Sequence, residues 1–150
     1  WVNWELNQDQ LHLEDSFARL TELRRKHPSL RPTDFGNFER MTENEDLIRW
    51  YNQKGELMNN DDWSSSETRV LQRLSGHISE SGQKDITLLV INGSEENLEI
   101  TLPTWDGIEG FHLLWDSAKS DSSNSDQEYL PSKNVVVSES SVLLFCSTDK

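Results

Sequence analysis

The stretch most restrictive of fold is residues 11–27, where apolar side chains recur at helical spacing. Leu13, Phe17, Leu20 and Leu23 follow one another at steps of four, three and three, with Ala18 beside them and Leu11 widening the stripe. That period gathers them on one side of a 3.6-residue helix, while Glu14, Asp15, Arg19, Glu22, Arg25 and Lys26 face elsewhere. Asp9, Glu14 and Asp15 come early, and Arg24, Arg25, Lys26 and His27 late, as the helix dipole prefers. Asn7 to Asp9 offers capping side chains, and Pro28 stops the helix by excluding His27 from helical backbone. A single amphipathic helix needs a partner surface, so the stripe is expected on the strands that follow or on a body outside this stretch.

The chain opens Trp1-Val2-Asn3-Trp4, an apolar and aromatic lead-in where soluble termini are usually polar, which predicts a cut into a longer polypeptide. Its 150 residues suffice for one domain with a sizeable core, or one domain plus a remnant of another. A net charge of −13 and a pI near 4.6 disfavour nucleic acid and anionic membrane as partners, and are indifferent to a neutral sugar. Cys146, the only cysteine, lies in the apolar run 142–146, so a buried, inert thiol is expected; it fits a reducing compartment, here the cytoplasm. No apolar run is long enough to span a membrane.

Beyond a connector over 28–45, the apolar period shifts from 3.6 towards 2. Strands are predicted at 46–52, 69–74, 85–92, 98–102, 111–116 and 142–146, with 135–137 as a seventh after Pro131. A capped helical turn is expected at 59–63, ahead of Ser64-Ser65-Ser66. Turn residues Gly76, Gly82, Asn92-Gly93-Ser94, Pro103 and Asp106-Gly107 separate most of the strands. Closely spaced strands without helices between them argue for an antiparallel sandwich or barrel. Residues 86–91 are almost wholly apolar and mark the central strand, and the Ser- and Asp-rich run 118–128 reads as a mobile loop.

Little in the chain points to catalysis. His12, His27, His77 and His112 show no metal-ligand spacing with one another or with Cys146, and each is expected in a surface or turn position. Ser117 or Ser141 with His112 and Asp116 lacks the sharp turn that presents a nucleophilic serine. Asp121, Asn124, Asp126 and Glu128 lack the glycine and alternating order of a calcium loop. The pairs Asp61-Asp62, Glu95-Glu96 and Glu45-Asp46 are sequence neighbours that point apart, whereas a retaining glycosidase pair faces across a sugar at about 5 Å. No cofactor is expected, and Asn92-Gly93-Ser94 matches the glycosylation sequon as well as a turn.

Six tryptophans are the compositional oddity. Trp63 and Trp105, predicted in loops, are the candidates for a sugar-stacking platform; core packing is the competing use, and Trp50 and Trp115 in strands are assigned to it.

The residues also carry a resemblance. Trp1-Val2-Asn3-Trp4, then 23–31 (LRRKHPSLR), Trp50, 52–58 (NQKGELM) and Asp62-Trp63, followed by 88–92, Leu102-Pro103, Leu114-Trp115-Asp116 and 142–144, resemble the C-terminal end of bacterial glycogen debranching enzymes. These are isoamylase-type members of glycoside hydrolase family 13. The resemblance spans nearly the whole chain; 27–30 and 55–63 are its most specific parts. Asn3 departs from the family's usual Asp, and 118–128 is longer than usual.

The resemblance implies a truncated (β/α)8 barrel ending at 1–31, its last helix being 11–27, followed by a C-terminal antiparallel β-sandwich over 32–150. It implies a full-length parent that hydrolyses α-1,6-glucosidic branch linkages of glycogen by a retaining mechanism, with its catalytic carboxylates on barrel strands before Trp1. This chain is then expected to be inactive alone and to pack on the barrel, or alternatively to hold α-glucan through Trp63 or Trp105. An unrelated sandwich interaction module is the third possibility. The expected partners are the barrel of the same polypeptide, glycogen through the parent, and a second copy of the chain through the uncovered stripe.

Overall fold

The computed structural model describes residues 7–32, 35–36, 38–39, 41–42, 46–119 and 127–149. The tryptophan-rich lead-in, Glu45, Asp121, Asn124, Asp126 and most of the run 118–128 lie outside the described residues.

Helix α1 (Gln8–Lys26) begins at Asn7, whose side chain accepts from Gln10 N while Gln10 returns a bond to the Asn7 N–H, a reciprocal capping box. It ends at His27, where the backbone turns extended before a 3-10 turn at Pro28–Leu30, as Pro28 dictates. The strands are β1 (Leu47–Tyr51), β2 (Val70–Ile78), β3 (Lys84–Asn92), β4 (Leu98–Thr101), β5 (Ile108–Asp116), β6 (Glu128–Tyr129), β7 (Asn134–Val137) and β8 (Ser141–Asp149); α2 (Asn60–Ser64) follows β1. All pairings are antiparallel. One sheet runs β1-β2-β3-β8-β5-β6, and β4 and β7 form a separate two-stranded sheet. The chain is thus mainly β and sandwich-like, as the strand spacing predicts.

The core lies between the sheets. Leu74, Leu88, Val90, Leu143 and Phe145 of the large sheet pack with Ile100 and Val137 of the small one and with Leu102 just after β4. The registers Leu74↔Leu88↔Phe145 and Gln72↔Val90↔Leu143 bring these residues onto a common face. Antiparallel partners share a face, so alternate residues go to the opposite one. Phe145 is fully buried and takes edge-to-face contacts from Phe111 at 6.3 Å and Tyr129 at 5.3 Å. The Tyr129 contact explains β6, a two-residue strand the sequence pattern misses.

Two buried polar side chains cross between layers. Gln72 donates from Nε2 to the carbonyls of Asn52 (2.8 Å) and Thr101 (2.9 Å). Asn92 donates to the carbonyls of Glu96 and Ser138, each at 2.9 Å, and accepts from Ser94 N. β2 reaches Ile78 where the apolar pattern predicts an end near 74. The reason is pairing: Ser75 and Gly76 sit opposite Thr87 and Ile86 on an interior strand, where ladder bonds and burial outweigh weak strand propensity.

The outer face of the large sheet carries Ile48, Trp50, Leu71, Leu89, Ile91, Val142 and Trp115, all half-buried. α1 is tied to this face by its C-terminal end, where Leu23 is buried and Leu20 half-buried. The rest of the stripe is uncovered: Leu13 is 69 % and Phe17 72 % exposed. Arg19, placed by the periodicity on the solvent side, is half-buried instead.

Candidate functional site

Two side-chain groups stand out, and the first gathers one of the two tryptophan candidates. The α2 turn is set by Asn59, which accepts from the backbone N–H of Asp61 and Asp62 while Asp62 bonds back to Asn59 N at 3.0 Å. Thr68 fastens the turn through Asp62 O at 2.7 Å. This turn lifts Trp63 to 52 % exposure beside Trp50 of β1, ring centroids 5.8 Å apart and planes at 76°. The two indoles form a corner in a groove of about 530 Å³, completed by Phe38, Glu39, Arg49, Leu57 and Met58. Phe38 and Leu57 are exposed there as well.

Trp105 is placed differently. It is half-buried against the core, and the Arg49 guanidinium covers its ring at 4.5 Å from the centroid. Arg49 Nε donates to Phe38 O, so one arginine connects Trp105 to the groove. The sequence treats the two tryptophans as equivalent; the structure makes Trp63 a surface and Trp105 a support. Arg49 escapes a sequence reading because its role depends on the side chain reaching across an edge strand.

A turn closed by Gly55 packs against the backbone of Thr101 and Leu102. Gly55 has φ +74°, and a Cβ there would lie 2.7 Å from Thr101 O, so both backbone conformation and close approach demand glycine. A separate, polar depression of about 450 Å³ is lined by Asn52, Lys54, Glu56, Asp61 and Arg69.

The second group corrects the expectation for the histidines. His27 is only 7 % exposed; its Nδ1 lies 2.8 Å from Asp85 Oδ1, while Ser29 N donates to Asp85 Oδ2 at 2.9 Å. Ser29 Oγ meets Thr87 Oγ1 at 2.9 Å. Burial alone would raise the Asp85 carboxyl, but the hydrogen bonds from His27 and Ser29 outweigh it and hold it below the usual carboxylate range. His77, also predicted at the surface, is half-buried and bonds to the buried Asp46 at 2.7 Å. The register sets His77 opposite Asp85, so both pairs share the outer face of the sheet. These are clamps: the first pins the end of α1 to β3, the second pins the start of β1 to β2.

Cys146 is half-buried rather than buried, and burial, with the Asp85 charge adding to it, pushes its thiol up. Ser117 and Ser141 are engaged with backbone, at Val142 N and Ser138 O. Asp62 of the Asp61-Asp62 pair is held in the α2 cap. Asn92 of the sequon is 2 % exposed with its amide donating inward, so this turn is structural in the folded chain. Among the described residues, no group of three or more His, Cys, Asp or Glu side chains is arranged to hold a metal ion, and no helix is long and apolar enough to cross a membrane. No protein-family model and no curated protein matches the chain.

Proposed function

We propose that this chain is a non-catalytic domain of a cytoplasmic glycogen debranching enzyme, packed on the (β/α)8 body that hydrolyses α-1,6-glucosidic branch linkages by a retaining mechanism. The observation that carries the proposal is a helix clamped at one end and left uncovered along its apolar side. His27 and Ser29 fix the end of α1 to β3, while Leu13 and Phe17 remain in solvent. An apolar helix side this exposed marks a contact surface, and the half-buried aliphatic and tryptophan side chains of the outer sheet face extend it. The segments most specific to the resemblance also have structural work here: 27–30 is the clamp, and 55–63 forms the Gly55 turn and the Trp63 shelf.

The test supplies a debranching-enzyme (β/α)8 body lacking its C-terminal domain in trans and follows association by sedimentation. Co-migration is expected, and Leu13→Asp with Phe17→Asp should abolish it. Failure to associate, or α-1,6-glucosidase turnover by the chain alone, would overturn the proposal.

A further inference from the structure

We propose that the groove beside β1 binds a ring of a neutral sugar, with Trp63 as the stacking platform, Arg49 as the fixed donor and Trp105 as the residue that positions Arg49. This goes beyond the packing role and does not depend on it.

The lining decides the ligand class. Phe38, Trp50, Leu57, Met58 and Trp63 supply apolar surface, and Arg49 and Glu39 supply one charge of each sign. A purely apolar ligand would strip water from both charged groups without returning hydrogen bonds, which is costly. A polyanion would meet a chain of net charge −13 and, among the described lining residues, a single cation. A sugar ring suits the mixture, having an apolar C–H face for an indole and hydroxyls at its edge for a guanidinium and a carboxylate. The volume, about 530 Å³, falls within the ~300–1,000 Å³ of small-molecule sites.

The site is also built in advance. The Asn59 cap and the Thr68 bond fix the α2 turn that carries Trp63. Trp105 at 4.5 Å and Phe38 O hold Arg49, whose guanidinium also neighbours Tyr51. A donor so held loses little freedom on binding, which is how a shallow groove gains affinity.

The experiment titrates the 150-residue chain with maltoheptaose, with cellohexaose as a second neutral glycan and an apolar fluorescent dye as a third probe, reading tryptophan emission and heat. Saturable binding of at least one glycan is expected. Trp63→Ala should weaken it at least tenfold, and Arg49→Gln and Trp105→Phe severalfold. Trp63→Tyr, which keeps an aromatic face, should recover part of the loss, and an unchanged unfolding midpoint separates lost binding from lost fold. The proposal is overturned if neither glycan saturates, if Trp63→Ala binds like the parent chain, or if only the dye occupies the groove.

Discussion

Removing the Asp85 carboxylate tests whether the clamp holds α1 in place. The carboxylate receives Ser29 N–H at 2.9 Å and faces His27 Nδ1 at 2.8 Å, and Ser29 and His27 are 2 % and 7 % exposed. In Asp85→Ala both buried groups lose their partner, and at about 1–3 kcal/mol each the expected loss is about 3–4 kcal/mol. Asp85→Asn keeps an acceptor for Ser29 N–H and a donor for an unprotonated Nδ1, so only charge assistance is lost, about 1 kcal/mol. With a urea dependence of about 2 kcal/mol per molar, the midpoint should fall by about 1.5–2 M for Ala and about 0.5 M for Asn. The folded-state carboxyl is depressed, so its contribution is complete above the unfolded-state value near ~4 and is lost as pH falls through the folded one. The parent chain's advantage over Asp85→Asn should therefore be level from about pH 5 upward and shrink below about pH 4. Amide exchange on α1 should accelerate more than on β3. Equal effects of Ala and Asn, or a loss under about 0.5 kcal/mol for Ala, would refute the clamp, since an orphaned buried donor costs more than that.

Gly55→Ala should cost about 1–3 kcal/mol, because the new Cβ meets Thr101 O in a left-handed backbone position; a midpoint unchanged in urea would contradict this. The isolated chain should self-associate through α1, and Leu13→Lys with Phe17→Asp should return it to a monomer by sedimentation; a parent chain monomeric at high concentration would count against the stripe as a contact surface. Cys146 should react with a thiol reagent more slowly than a free cysteine at neutral pH, and label faster as pH rises past the ordinary thiol range; prompt labelling at pH 7 would show that burial does not protect it.

Much of the architecture was legible because it rests on local rules. The helix boundaries follow from Asn7 and Pro28, the α2 turn from Asn59 and Asp62, and the interior position of β3 from its unbroken apolar run. What escaped depends on partners distant in sequence. β2 and β8 are extended by their ladders, β6 exists because Tyr129 reaches Phe145, and His27 is buried because Asp85 waits 58 residues away. The candidate groove was half visible: Trp63 follows from composition and turn chemistry. Arg49 and the altered role of Trp105 required knowing that β1 lies at the sheet edge.

The place of β8 has a consequence for how the molecule is made. It is the seam between β1-β2-β3 and β5-β6, and its Leu143 and Leu144 sit beside Val90 and Leu89, some fifty residues earlier. A ribosome therefore delivers two unfinished half-sheets before the strand that joins them. During that interval β3 presents a bare ladder edge flanked by Leu88, Leu89, Val90 and Ile91, the kind of template on which neighbouring chains pair. Solubility during synthesis is set by how quickly that seam closes.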